Sequence, residues 1–167
     1  EGPLDTFSLA TVDDPEVATF LYVSLGTPRG GSLAVFRRDV AVPASGLSLE
    51  VPPETVLVSP TDGTPGVWHE TPFRVSPDED RLYTFLWKPQ GQGPEITLYT
   101  NEPVATIPDL TAYGLALPPG AAYEWMCIVQ GPDFTVDDYV RSELAESLGR
   151  AVGFYQFTTT RPFTTGP

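Results

Sequence analysis

The residue types that catalysis uses most often are few in this 167-residue chain, and they lie far apart. His69 is the only histidine, within the loop sequence Gly66-Val67-Trp68-His69-Glu70-Thr71-Pro72. Neither a second histidine at metal-ligand spacing nor a serine in a nucleophile-elbow setting accompanies it. A general base needs such partners. We therefore interpret His69 as a turn residue.

Cys127 is the one cysteine, so the chain has no internal disulfide. It belongs to the alternating run 123–129, in which Tyr123, Trp125, Cys127 and Val129 share one face of a strand. Both faces of this run are largely apolar, which indicates a central strand. Cysteine is among the most often buried residues, and a buried thiol is inert. We expect a core thiol, and the sequence leads us to assign no catalytic residue, cofactor site or metal ligand.

Two kinds of ligand stay open as alternatives. Calcium prefers oxygen ligands, which three acidic clusters offer without the Asp-x-Asp-x-Asp-Gly spacing of a calcium loop: Asp13-Asp14-Pro15-Glu16, Asp78-Glu79-Asp80 and Asp137-Asp138. Exposed tryptophans on a β-sandwich can stack against sugars. Trp87 and Trp125 alternate with other apolar residues and fit a core, which leaves Trp68 as the loop tryptophan of a possible glycan site.

Composition indicates a folded all-β chain, because 19 prolines and 15 glycines punctuate short apolar runs. The 22 acidic and 9 basic residues give a formal charge of −13, which argues against nucleic acid or an anionic membrane as partner. No apolar run reaches the roughly 18 residues of a spanning helix. A leader is not visible, but the start at Glu1-Gly2-Pro3 is typical of a trimmed terminus, and we expect an extracellular, periplasmic or cell-surface location.

The stretch Leu117-Pro118-Pro119-Gly120-Ala121-Ala122-Tyr123 predicts a tight corner that leads into the central strand. It resembles the corner and sixth strand of a fibronectin type III domain, in which the tyrosine hydroxyl bonds back to upstream backbone. Residues 56–63 and 72–77 resemble the first two strands, with Val75 where the family usually has tryptophan. The resemblance implies an antiparallel, immunoglobulin-like β-sandwich of an exported bacterial-type protein.

Apolar alternation places the other strands on both sides of a boundary at Pro52-Pro53. We predict strands at 6–12, 17–25, 32–42, 47–51, 82–88, 96–100, 104–110 and 153–160, with a fraying threonine-rich tail after Phe157. Residues 1–53 form an N-terminal β segment, either a small domain or extra strands on the sandwich. Residues 54–167 form the fibronectin type III-like sandwich.

One α-helix is predicted over about 135–148, inserted between the last two strands. Its apolar residues recur four apart at Val136, Val140, Leu144 and Leu148, with Thr135 as N-cap and Gly149 at the exit. An apolar stripe normally faces inward, so we expect this helix to cover one open end of the sandwich. The alternative is a contact element for a partner.

These features predict a non-catalytic extracellular or cell-surface module that serves as a scaffold or as a protein-interaction domain with an unidentified partner. The alternative is an accessory module that binds a glycan or calcium. A third hypothesis is a hydrolase with its site in the loops, although no activated nucleophile is recognisable. The sandwich architecture alone does not separate them, because it hosts many functions.

Overall fold

The computed structural model describes residues 21–38, 40, 45–76, 81–132, 134–141 and 152–167. Strands dominate these residues, together with one six-residue α-helix and a 3₁₀ turn at Thr111–Tyr113. The elements are β1 (Leu21–Gly26), β2 (Ser32–Arg37), β3 (Val56–Ser59), β4 (Thr64–Val67), β5 (Phe73–Ser76), β6 (Leu82–Pro89), β7 (Ile96–Thr100), β8 (Val104–Ala105), β9 (Ala122–Gly131), α1 (Val136–Arg141), β10 (Val152–Phe157) and β11 (Arg161–Thr165).

The strands form one eight-stranded sheet and one three-stranded sheet. In the large sheet, one edge of β9 pairs with β6, which pairs in turn with β7. The other edge pairs with β10 and then β11, each beside one half of β9. Beyond them, β10 pairs with β2 and then β1, and β11 pairs in parallel with β4. The small sheet has the order β3-β5-β8. The predicted all-β class is confirmed, and the two sheets are compatible with a β-sandwich.

The interior face of β9 forms the centre of the core. Tyr123, Trp125, Cys127 and Val129 are each at most 1% exposed, which confirms the face predicted from their alternation. Phe73 of the small sheet meets the rings of Trp87 and Trp125 edge-on, at centroid distances of 5.2 and 5.0 Å. Edge-to-face contacts of this kind add to the stabilisation from buried apolar area. The aromatic residues therefore hold the two sheets together.

The strands predicted at 17–25 and 32–42 are confirmed in part as β1 and β2, which pair antiparallel around a glycine-rich turn. β2 continues into the large sheet by pairing with β10, where Phe36 lies opposite Gly153. A Cβ at Gly153 would lie 2.4 Å from the Phe36 ring, so a side chain there would displace the ring. The boundary at 53/54 stays a prediction, and the strand predicted at 6–12 lies outside the described residues.

Several predicted strands are absent or shorter than expected, and the one predicted at 153–160 ends at Phe157. Residues 47–51 form no strand, although Leu49 packs against the core. The predicted strand at 104–110 is reduced to the two residues of β8. Alternation signals a half-buried extended segment, but a strand also needs backbone donors, and prolines at 52, 53 and 108 supply none.

The C-terminal residues form strand β11 instead of a fraying tail. Phe163 and Thr165 are buried, and the Thr165 hydroxyl donates to the Pro118 carbonyl at 2.5 Å and accepts from the Ala121 N–H at 2.8 Å. The last strand therefore holds the corner that precedes β9. The Tyr123 hydroxyl donates to the Pro94 carbonyl at 3.3 Å and ties this corner to the loop between β6 and β7.

Helix α1 lies within the predicted 135–148, and residues 142–148 are outside the described part. The expectation that Val140 is buried on the core is wrong, since Val140 is 75% exposed. Contact is made instead by Tyr139, which stacks on Tyr99 of β7 with ring centroids 4.4 Å apart. The Asn101 side chain accepts from the Val136 N–H at 3.2 Å and fixes the start of the helix.

We predict that Thr165→Val lowers the free energy of unfolding by about 1–3 kcal/mol, because the half-buried Pro118 carbonyl and Ala121 N–H lose the hydroxyl and keep only a long bond to each other at 3.4 Å. Thr164→Val is the matched control on the neighbouring, half-buried residue, with an expected change within about 0.5 kcal/mol. Urea unfolding measures both. Equal changes would contradict the role of Thr165 at the corner.

Candidate functional site

Cys127 lies inside the core, as the sequence predicted. Its residue exposure is 0%, and burial raises the pKa of the thiol well above its ordinary value. The thiolate is the reactive form of cysteine, so a raised pKa removes nucleophilic character. The neighbours of Cys127 on its face are Trp125 and Val129, which are also buried. No open cleft reaches this face among the described residues.

His69 is partly exposed, and its contacts are local. The nearest carboxylate is that of the exposed Glu70, at 3.9 Å from Nε2, and the ring lies 5.6 Å from that of Trp68. The pKa of Asp109 is lowered, mainly because Asp109 accepts hydrogen bonds from Thr111. The charge of His69 makes the smallest contribution to this lowering. His69 and Cys127 are therefore not brought together, and their arrangement does not form a nucleophile–base pair.

Of the three tryptophans, Trp87 and Trp125 are buried in the core, as predicted. Trp68 is partly buried and packs against the core cluster. The acidic clusters 13–16 and 78–80 lie outside the described residues, and so does the side chain of Asp138. In the described part of the chain, no three histidine, cysteine, aspartate or glutamate side chains gather as a metal site needs.

Apolar side chains reach water on the outer face of the large sheet, opposite the core. Alternation places Met126 and Ile128 of β9 there, and Phe157 of β10 lies opposite Ile128 while Leu86 of β6 lies opposite Met126. We call this surface the outer patch, and it comprises Leu86, Tyr99, Met126, Ile128, Tyr139 and Phe157. Tyr99 and Phe157 are 37% and 39% exposed, and the other four are partly exposed.

Helix α1 borders the outer patch through its tyrosine. The Tyr139 hydroxyl donates to the Tyr99 hydroxyl at 3.0 Å in addition to the ring stacking. The pair therefore adds two phenol groups to the patch, and Thr84 lies between Tyr99 and Ile128 in the strand register.

A small polar cleft lies where three chain segments meet: the β1–β2 turn, the residues leading into β3, and the bend between β10 and β11. We call it the arginine cleft, and it encloses about 270 Å³ including the part open to solvent. Its charged and hydroxyl-bearing lining consists of Arg29, Glu54, Thr55, Thr158, Thr159 and Arg161.

Sequence reasoning missed both surfaces. The apolar outer face of β9 was visible as a second apolar alternation, but it was interpreted as the sign of a strand buried on both sides. The arginine cleft carries no local signal, because Arg29, Glu54 and Arg161 belong to separate turns and strand ends and meet only in the folded chain.

No protein family, curated protein or solved structure matches this chain in the comparisons with known proteins. Among the described helices, none combines the length and apolar character required to cross a membrane. The functional assignment therefore depends on the geometry of the surfaces described above.

We predict that the raised pKa of Cys127 makes the fold less stable in alkali. A thiol whose pKa is higher when folded loses its proton more readily when unfolded, so stability falls as pH rises above the unfolded value of about 8.5, by at most about 1.4 kcal/mol per pH unit. Cys127→Ala lacks this thiol, and the free energy of unfolding from urea titrations should fall less steeply between pH 8 and 10. Parallel slopes for the two proteins would contradict the buried thiol.

Proposed function

We propose that this chain is a non-catalytic module of an exported bacterial-type protein, located at the cell surface, in the periplasm or outside the cell. Its rigid sandwich presents the outer patch to a protein partner. The observation that carries this proposal is the outer patch itself, an apolar surface that draws its exposed side chains from four strands and one helix. Contiguous exposed apolar surface on a folded domain marks an interaction site.

The composition of the outer patch fits a protein interface. It contains three aromatic residues and a methionine, which are the residue types enriched at interface centres, and no charged side chain. Charges lie at its border, where Lys88 is opposite Glu124 in the strand register and forms an ion pair with Glu95 at 3.9 Å. An apolar centre with a polar rim is the usual arrangement of residues that supply binding energy. The net charge of −13 favours a partner with a neutral or basic surface.

The rigidity that a scaffold requires comes from the opposite face of the same strands. Met126 and Ile128 are held in place by Trp125 and Cys127, their neighbours on β9, which are packed in the closed core. Side chains fixed on a central strand lose little conformational freedom on binding, and this lowers the free-energy cost of association. The core and the outer patch therefore act as two faces of one structure.

The proposal includes a fibronectin type III-like topology with an inserted helix over 135–148. With β4 left out of the count and β3 taken as the first strand, β3, β5 and β8 are the first, second and fifth strands and share the small sheet. The third, sixth and last strands, β6, β9 and β11, share the large sheet. This division is that of immunoglobulin-like sandwiches. The corner before β9 and the hydroxyl bond of Tyr123 add support. The hairpin β1–β2 and the parallel pairing of β4 are additions to this plan.

The proposal is tested by site-specific photo-crosslinking in intact cells of the source organism. A benzophenone amino acid replaces Phe157 in the outer patch, and the same group replaces Tyr113, a residue 78% exposed outside the patch, as the control. We expect a discrete crosslinked protein from position 157 and none from position 113. Excess purified wild-type chain should suppress the crosslink, whereas a Phe157→Ser/Ile128→Thr variant with unchanged melting should be about thirtyfold weaker as competitor.

Three outcomes would contradict the proposal. Equal crosslinking from positions 157 and 113 would show that the outer patch is not the binding surface. Competition by the double variant as strong as that by the wild-type chain would show the same. Calcium binding by calorimetry, or binding on a glycan array that depends on Trp68, would favour the accessory ligand-binding module. Turnover of ester, peptide or glycoside probes that is lost in His69→Ala would favour a hydrolase with a loop-borne site.

A further inference from the structure

The arginine cleft is built by a break in the last strand of the large sheet. β10 ends at Phe157 and β11 begins at Arg161, so residues 158–160 bend away and leave a gap beside β3. The β1–β2 turn closes one side of this gap. A Cβ at Gly31 would lie 2.4 Å from the Phe157 carbonyl oxygen, so the turn approaches this closely only because glycine stands there. The fold itself therefore forms the cleft.

The floor of the cleft is polar and ordered. Thr55 and Thr158 line it and are buried, although both are polar. The Thr55 hydroxyl donates to the side-chain oxygen of Gln156 at 2.8 Å, and the Thr158 hydroxyl accepts from the Cys127 N–H at 2.9 Å. These bonds connect the floor to β9 and β10, so the hydroxyl positions are fixed before any ligand arrives.

The cleft gathers positive charge in a strongly acidic chain. Two of the nine basic residues, Arg29 and Arg161, line it together with a single carboxylate, that of Glu54. Glu54 accepts a hydrogen bond from the Arg29 N–H at 3.3 Å, which holds the turn in place. The formal charge of the lining is therefore about +1, against −13 for the whole chain.

Arg161 keeps donors for a ligand. Its Nη1 donates to the carbonyls of Val58 and Pro60 at 3.5 and 3.3 Å, which fixes the guanidinium against the end of β3. A guanidinium has five N–H donors, so the bonds from Nη1 leave Nε and Nη2 for other acceptors. Arg29 is an exposed residue that lines the same cleft from the β1–β2 turn.

We propose that the arginine cleft binds a carboxylate group between Arg29 and Arg161. A guanidinium fork matches the two oxygens of a carboxylate, and the lining charge of about +1 balances one negative charge. A dianion such as phosphate would meet the repulsion of Glu54 with one charge left unbalanced. The space inside the cleft that water-sized groups can occupy is about 30 Å³, which is room for about two such groups, so the cleft holds a functional group and not an entire large ligand.

The carboxylate has three possible sources with the same chemistry: a small organic acid, the C-terminus of a peptide, or an acidic side chain. The full-length chain is titrated by two-dimensional ¹⁵N–¹H NMR with sodium acetate, with a short peptide in its free-acid and amidated forms, and with an amidated peptide that carries one glutamate. Sodium chloride at equal ionic strength is the control for screening.

We expect saturable shifts of the Gly31, Thr158 and Thr159 amides with carboxylate and not with chloride. Arg29→Gln should weaken binding about tenfold, the usual loss when a charge-assisted bond is removed. Arg74→Gln, on an exposed arginine of β5 outside the cleft, is the matched control and should bind like the wild type. Glu54→Gln keeps an acceptor for the Arg29 N–H but loses the opposing charge, so its affinity should rise.

The proposal is overturned if the shifts do not saturate, if chloride produces them equally, or if Arg29→Gln and Arg74→Gln behave alike. Tighter binding of the free-acid peptide than of the glutamate peptide would identify a peptide C-terminus as the ligand. Tighter binding of the glutamate peptide would identify an acidic side chain. Binding of acetate but of neither peptide would identify a small organic acid. The Phe157→Ser/Ile128→Thr variant should retain carboxylate binding, so the cleft and the outer patch are tested separately.

Discussion

The contact of Phe73 with Trp87 and Trp125 is the interaction on which the structure depends. Phe73 extends from the small sheet and packs against the aromatic side chains on the inner face of the large sheet. Its ring also contacts that of Phe163, with the two centroids 5.4 Å apart. Both indole N–H groups are buried without a hydrogen-bond partner, which costs free energy. Burial of the surrounding aromatic area has to offset that cost. The aromatic packing of this face therefore outweighs two unpaired indole donors.

A closed core moves any function to the outside of the molecule. Because the interior face of β9 is occupied by packing, the same strand exposes Met126 and Ile128 on its other face. The break between β10 and β11 lets two strands cover one edge of β9, and it opens the arginine cleft at the point of the break. The outer patch and the cleft are thus both consequences of how the central strand is covered.

Much of this architecture was readable in the sequence. Strong alternation predicted the central strand and the burial of Trp87, Trp125 and Cys127, because successive side chains of a strand point to opposite faces in every kind of sheet. Strand β4 was missed, since Thr64-Pro65-Gly66-Val67 has low strand propensity and pairs only because β11 lies beside it. Strand β11 was interpreted as a tail for the same reason. Pairing with a neighbouring strand, and not local sequence preference, decides whether such short edge segments form strands.

The candidate sites were less predictable than the fold. Helical spacing placed Val140 on the buried side of α1, but the stacking of Tyr139 on Tyr99 turns Val140 to solvent. Arg29 and Arg161 meet in one cleft although 131 residues lie between them in the chain. No periodic pattern reports such a contact, because loop residues are positioned by the elements that they connect.

The most direct test of the closed core is collisional quenching of tryptophan fluorescence by acrylamide in a Trp68→Phe variant. Only Trp87 and Trp125 then report, and both are at most 1% exposed. If the face is closed, the quenching constant of the folded protein should be several-fold smaller than that of the same protein in denaturant. Similar constants in the two states would show that quencher reaches Trp87 and Trp125, and the account of a sealed, non-catalytic core would be wrong.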